Sequence, residues 1–267
     1  MRSGTTSLYR YLLEHPEIFM PRSKEVHFFD DRFHEGITWY ARQFSDAGVR
    51  TQIGEATPNY MYDGVAMERI LSVLPDVRLL VILRNPADRA YSHYWHNRSR
   101  GKESLSFTDA IAAEPMRMAK STESRRTYSY LDRGRYHEQL VRVLERVSGN
   151  ALHVSVFDDL LKEPRSVFAS ICDFLGIDRD FVPSHLGAAI NPFIEFRSIR
   201  LRRLAKHLPR PLRRAVGRVN VRGKDAAYEP LAEEIRLRVL EMLADDILRT
   251  SELIGRDLTG MWLREQA

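Results

Sequence analysis

The chain has 267 residues and a net charge of +5; 43% of its residues are hydrophobic and 29% charged. That length suffices for one large α/β domain without requiring two, and the composition is that of an ordinary globular protein. No apolar run is long enough to span a bilayer, which excludes a transmembrane helix.

The chain opens with Arg2-Ser3-Gly4-Thr5-Thr6-Ser7, small, polar and cationic, and then Leu8, Leu12 and His15 fall at helical spacing. This pattern predicts a turn that runs straight into a helix. Backbone N–H groups at a helix N-terminus lack intrahelical partners, and the dipole adds partial positive charge, so an anion is the natural ligand. Gly4 lets the backbone close on an oxygen without a Cβ; a helix capped by Thr or Ser is the plainer alternative. Phosphate loops of this kind follow a strand. The expectation is that the reading frame upstream of Met1 encodes a short run rich in Val, Ile and Gly.

Pro16 and Pro21 bracket a turn, followed by Lys24-Glu25-Val26-His27-Phe28-Phe29-Asp30. Read as extended chain, this segment puts Glu25, His27 and Phe29 on one side. Carboxylate and imidazole then form an acid–base pair, unless the phenylalanines are core anchors and the charges merely rim. Residues 37–44 read as a helix and residues 51–55 as a strand ending in a turn at Pro58. A helix over residues 67–74 precedes the clearest strand, 77–83. Its apolar run suggests burial on both faces, as in a parallel sheet. Arg84 stands at that strand's carboxyl end, where ligands bind in such sheets. A helix follows over residues 87–98, with Asp88 suited to its N-terminal end. His93 and His96 are three apart on it, but no cysteine or carboxylate cluster accompanies them, so no metal is expected.

Residues 116–127 are polar and weakly patterned and read as a mobile loop. Residues 130–147 read as a long amphipathic helix, 151–157 as a strand, and 165–175 as a helix closed by Gly176. Cys172 is the lone cysteine. It reads as a buried structural thiol, and a reducing, cytoplasmic location is expected. Residues 191–225 form a basic segment with two candidate helices broken by Pro209 and Pro211. Between Arg197 and Lys224 stand eleven Lys or Arg and no Asp or Glu, and the rest of the chain is mildly acidic. Such a segment attracts anions, although a solvated helix pair explains it equally well. Residues 232–254 read as a helix stopped by Gly255. Alternating strands and helices imply an α/β class with a mainly parallel sheet. With no convincing linker, residues 1–267 read as one domain.

Three motifs, taken together and in this order, resemble the PAPS-dependent sulfotransferases, closest to the heparan-sulfate sulfotransferase branch and its bacterial relatives. Residues 2–8 look like the family's 5′-phosphosulfate loop. Residues 24–30 are similar to the segment that carries the general base in that branch. Arg84-Asn85-Pro86-Ala87-Asp88-Arg89-Ala90-Tyr91-Ser92-His93-Tyr94 looks like the 3′-phosphate motif. The resemblance implies a P-loop-like nucleotide-binding architecture and sulfuryl transfer from PAPS, releasing PAP, to a hydroxyl or amine of a carbohydrate or small molecule. It makes Arg2, Ser3, Gly4, Thr5, Thr6 and Ser7 the phosphosulfate cradle, and Arg84 and Ser92 the 3′-phosphate ligands. Tyr136 and Arg197 are further cofactor candidates. Glu25 is the candidate base, His27 its rival, and Arg2 and Lys24 the cations facing the leaving phosphate. Residues 55–60 resemble a second active-site segment.

The chain departs from the family at several points. Arg2 stands where the cradle usually has Lys, and Ala56 where heparan-type enzymes often have Lys. A single cysteine excludes their C-terminal disulfide loop. Two other functions fit less of the chain. A nucleotide kinase would need the Gly-x4-Gly-Lys-Ser/Thr pattern, which the first loop lacks. A non-enzymatic basic module binding nucleic acid or an anionic membrane leaves the three motifs unexplained, and residues 197–224 lack the interleaved aromatics of a single-strand binder. No nucleic-acid partner is therefore expected.

Overall fold

The computed structural model describes residues 3–188, 195–196, 209, 212, 216, 221–223 and 228–263. In chain order the elements are α1 (Thr5–Glu14), β1 (Ile18–Phe19), a π-helical turn (Phe28–Arg32), α2 (Ile37–Arg42), β2 (Gln52–Ile53), α3 (Asn59–Tyr62), α4 (Gly64–Val73), β3 (Leu79–Leu83) and α5 (Pro86–Ser99). Then come α6 (Phe107–Ala112), α7 (Glu114–Met118), α8 (Thr122–Tyr128), a 3-10 turn (Asp132–Gly134), α9 (Tyr136–Leu144), β4 (Leu152–Val156), α10 (Phe157–Lys162) and α11 (Pro164–Leu175). The last are β5 (Glu195–Phe196), β6 (Val221–Gly223), α12 (Glu233–Met242), α13 (Ala244–Ile254) and α14 (Leu258–Trp262). Among the described residues, no helix is long and apolar enough to cross a membrane.

The α/β class stands. β1 pairs with β2 in parallel (Ile18↔Gln52), and β3 pairs with β4 in parallel from Leu79↔Leu152 to Leu83↔Val156. Each parallel pair is joined by a connection that includes helices, as parallel pairing requires. β5 and β6 form a short antiparallel pair. The helices expected across the rest of that basic segment lie outside the described residues.

The chain divides into two compact units: Met1–Asn85, Tyr136–Ile190 and Asp246–Thr259 form the first, and Pro86–Arg135, Asn191–Asp245 and Gly260–Ala267 the second. In the first, α1 buries Leu8, Tyr9, Tyr11 and Leu12 against Ile18, Met20, Ile82 and the apolar face of α11. Tyr9 satisfies its hydroxyl on the Pro21 carbonyl at 2.6 Å. Cys172 is fully buried in this core and burial pushes its thiol up to about 11, as expected of a structural thiol. Gly176 closes α11 in the left-handed conformation. A second cluster packs Val26, Phe28, Phe29, Tyr40, Tyr60, Ala66 and Ile70, with the Phe28 and Tyr40 rings stacked 4.6 Å apart.

The second unit has a polar interior. Arg89, Ser92, His93, Asn97, Glu103, Glu114 and Arg133 on or around α5 are all buried. Glu103 takes a two-pronged bond from Arg117 (2.6 and 3.1 Å) and one from the Tyr130 hydroxyl at 2.8 Å. Glu114 accepts the N–H groups of Leu131 and Asp132 at 2.7 and 2.8 Å, and Arg89 donates to the Tyr130 carbonyl. Charge-assisted bonds of this kind fix local geometry strongly.

Several expectations are corrected. Residues 116–127 are no open loop: α7 and α8 occupy them, α8 capped by the Ser121 hydroxyl on Ser124 N. Local caps and the Glu103–Arg117 pair order them without a hydrophobic stripe. The long helix over 130–147 is a 3-10 turn at Asp132–Gly134 and then α9. The closing helix over 232–254 is two helices that break at Leu243, whose side chain is buried. β1 appears where only a turn was expected, because two residues of pairing are too short to show periodicity.

Candidate active site

The first motif forms the expected turn. Gly4 adopts φ +85°, and its carbonyl accepts from Ser7 N at 2.9 Å and Leu8 N at 3.1 Å, so α1 begins directly after it. A Cβ on Gly4 would stand 2.5 Å from Phe157 Cδ2, so both the angle and the space require glycine. Ser3 is buried, while Thr5, Thr6 and Ser7 are partly exposed on the first turn of the helix. Arg2 lies outside the described residues.

The same Phe157 ring carries the third motif's arginine. The Arg84 guanidinium carbon lies 5.0 Å from the ring centroid, a cation–π arrangement. Phe157 begins α10 at the end of β4, and Arg84 directly follows β3, so the parallel pairing brings both strand ends together. The Tyr136 hydroxyl donates to the Arg84 carbonyl at 2.8 Å. Tyr136 is held in turn by Asp246, whose carboxylate accepts Tyr136 N at 2.6 Å and His137 N at 3.2 Å, capping α9. Burial pushes the Asp246 carboxyl up, against those bonds. Sequence reasoning missed Asp246 and Phe157. The signal for Asp246 was an acid on the same helical face as Leu243, Ile247 and Thr250, all buried. Phe157 gave no signal, having read as the end of a strand.

Turn N–H groups, three hydroxyls and an arginine on one ring fit a phosphate-bearing ligand. Ser92 lies on α5 in the second unit, where it is 2% exposed. Arg197 lies outside the described residues.

The second motif is not extended. Glu25 and His27 both have positive φ, +70° and +55°, and a π-helical turn starts at Phe28. Non-glycine residues hold such angles only when the surroundings over-determine them. The acid and imidazole still meet, through this kink and not through strand alternation. Glu25 Oε1 lies 2.7 Å from Lys24 Nζ, and Glu25 Oε2 lies 3.5 Å from His27 Nε2. His27 Nδ1 faces Asp30 Oδ2 at 3.0 Å, and Asp30 Oδ2 also accepts from Asn59 Nδ2 at 2.8 Å. Asp30 keeps only 1% of its side chain exposed, whereas Glu25 keeps 44%. The pair is therefore anchored at Asp30 and open at Glu25.

Burial acts to raise the Glu25 carboxyl, but hydrogen bonds and charge from His27 and Lys24 outweigh it and hold it at about 2. Hydrogen bonds to Asp30 and then Glu25 outweigh burial at His27 and raise its imidazole to about 10. His27 therefore carries charge at neutral pH, and Lys24 Nζ and His27 Nε2 stand one at each oxygen of the Glu25 carboxylate. Ala56 packs against the α1 core, and the basic side chain beside Glu25 Oε1 is that of Lys24.

A family model of the sulfotransferase domain matches residues 1–189. The chain is 32% identical over 202 residues to the bifunctional heparan sulfate N-deacetylase/N-sulfotransferase 1 of Mus musculus. That match covers 72% of this chain and 23% of the mouse protein, so the chain spans less than a quarter of the length of such relatives. A sulfotransferase crystal structure from Alicyclobacillus acidocaldarius superposes with TM-score 0.73 at 27% identity, covering 98% of this chain and 95% of that one. The sulfotransferase domain of the Synechococcus PCC 7002 olefin synthase shares the fold at TM-score 0.52 and 16% identity, each chain covered to 91%.

Proposed function

Since the chain belongs to the sulfotransferase domain family, and is a transferase on that ground, we propose that it moves a sulfuryl group from PAPS to a hydroxyl or amine of a carbohydrate or small molecule, with Glu25 as general base. One observation carries this reading: the Gly4 turn and the Arg84 guanidinium pack on a single ring, Phe157. Two of the three motifs thus meet on one side chain, which supports reading them as the two phosphate-binding ends of one nucleotide site. PAPS, when bound, supplies the sulfuryl group on a phosphate leaving group. The N–H groups after Gly4, with the Thr5, Thr6 and Ser7 hydroxyls, receive the 5′ phosphate oxygens. Arg84 pairs with the 3′-phosphate, and Tyr136, whose hydroxyl bonds the Arg84 carbonyl, steadies that arginine.

Glu25 suits the base better than His27. An imidazole raised to about 10 is protonated at neutral pH and has no lone pair to offer. Glu25 is ionised there and partly open to solvent. A carboxylate held at about 2 is a weak base toward a free acceptor. It becomes competent as the acceptor oxygen or nitrogen bonds to sulfur and turns acidic, so the proton moves late. His27 and Lys24 orient the carboxylate until then. The carbohydrate acceptor rests on the names of the relatives, and the whole of residues 1–267 is read as one sulfotransferase domain.

The test is calorimetric titration with PAP. The chain is expected to bind, and Arg84→Ala to bind about 10- to 100-fold more weakly, the loss of a charge-assisted contact. Equal affinity in the two proteins would remove the nucleotide site from Arg84.

A further inference from the structure

Four consecutive backbone N–H groups in the loop of Glu25 and His27 end on one carboxylate or on hydroxyls that it holds. Val26 N bonds Glu55 directly. His27 N donates to Thr57 Oγ1 at 3.4 Å. Phe28 N and Phe29 N donate to the Tyr60 hydroxyl at 2.9 and 3.3 Å. Thr57 and Tyr60 each have one hydroxyl proton, and both protons point to Glu55, at 2.6 and 3.0 Å. Tyr40 adds a third hydroxyl to the same carboxylate. An ionised carboxylate has about four lone-pair sites, and these four donors fill them.

We propose that Glu55 is a positioning residue for the transfer reaction: through Thr57 and Tyr60 it holds the kinked backbone that sets Glu25 against His27. Successive N–H groups facing inward need an anion or hydroxyl acceptors, and Glu55 orders both kinds at once. The two positive-φ residues, Glu25 and His27, flank Val26, the first N–H in the series. Without Glu55 the hydroxyls of Thr57 and Tyr60 are free to turn, and nothing in this network favours the left-handed angles. The neighbourhood is otherwise aromatic: Phe28, Phe29, Tyr40 and Tyr60. An apolar residue at position 55 would pack there but would leave the hydroxyls and Val26 N without their acceptor. Burial pushes the Glu55 carboxyl up, and the hydrogen bonds from Thr57, Tyr60, Tyr40 and Val26 N oppose that rise.

The inference rests on the reading of Glu25 as base, and the test separates the two. Glu55→Gln keeps the shape but turns one acceptor oxygen into a donor. In the full chain, the His27 imidazole is followed by NMR against pH, and PAP affinity by calorimetry. Transfer from PAPS to a glucosamine oligosaccharide gives kcat. The expected result is that His27 titrates at least one unit lower in Glu55→Gln than in the unaltered chain. With it, kcat falls about 100-fold, the effect of a misplaced catalytic group, and PAP affinity is unchanged. An unmoved His27 titration overturns the proposal whatever happens to the rate. A lowered His27 titration with unchanged kcat overturns the catalytic role and puts the fault in the Glu25 reading. Should Glu55→Gln not fold, Tyr60→Phe carries the same two readouts, since it keeps the ring and removes the Tyr60–Glu55 bond together with the acceptor of Phe28 N and Phe29 N.

Discussion

The turn at residues 3–7 and the loop at residues 24–32 are built in opposite ways. The turn is made by its own sequence: one glycine at φ +85° and a helix that starts beside it. The loop is made by distant residues: Thr57, Tyr60 and Asn59 hold its N–H groups and its Asp30 from about thirty positions further along. A site can therefore have one part fixed by local rules and another fixed only by the fold. In the proposed reaction the first part binds the nucleotide and the second holds an acid–base pair within hydrogen-bonding distance. Each can be broken without the other.

The largest expected effect comes from the loop. Glu25→Gln removes the proposed base and leaves the turn untouched, so kcat should fall by about 10²- to 10⁴-fold while PAP affinity stays constant. Single-turnover kinetics beside calorimetry measures both. Equal losses in rate and PAP affinity would mean that the two regions are not separable. The converse variant is Gly4→Ala. Its Cβ would stand 2.5 Å from Phe157 Cδ2, and alanine at that φ costs on the order of 1–3 kcal/mol. PAP affinity should fall about 10-fold or more, and the melting temperature with it. Unchanged affinity would remove the turn from the nucleotide site.

The same contrast marks what could be read from the sequence. The turn at Gly4, β3 with Arg84 at its end, α11 with its buried Cys172 and left-handed Gly176 were all legible, because periodicity and cap residues are local. The pairing of Glu25 with His27 was legible but the shape of their loop was not: strand alternation put them on one side, whereas they meet across a kink. Positive φ at Glu25 and His27 has no signature in the residues themselves. The helices at 114–128 were missed for a related reason. They are ordered by buried Glu103 and Glu114, and charged residues read as surface unless their partners are visible. Asp246 was hidden in the same way, a capping acid for a helix about a hundred residues earlier.

The smallest expected effect sharpens the comparison, because it asks how far the loop's charges contribute to folding. His27 is raised in the folded chain to about 10, above its ordinary 6.5. Its contribution to stability is therefore complete below about pH 6.5 and is lost as pH rises through 10. Glu25 is lowered to about 2 from 4.5, so its contribution is complete above about pH 4.5 and is lost as pH falls through 2. The loop is then most stabilising between the two ordinary values, and stability should decline on the alkaline side from about 6.5 upward. Asp30→Asn removes the first cause of the His27 shift and should flatten that alkaline decline. The His27 side chain is 34% exposed, so solvent screening limits the change to about 1 kcal/mol, roughly 2–4 °C in Tm for a chain of this size. Thermal melts of both proteins at pH 3, pH 6 and pH 10 give the answer. Parallel declines would mean that His27 is not held by Asp30 and that the pair is ordered from the Glu25 side alone. A flattened decline with the acid limb unchanged would locate the anchor of the pair at Asp30, inside the fold, with Glu25 left at the surface to meet the acceptor.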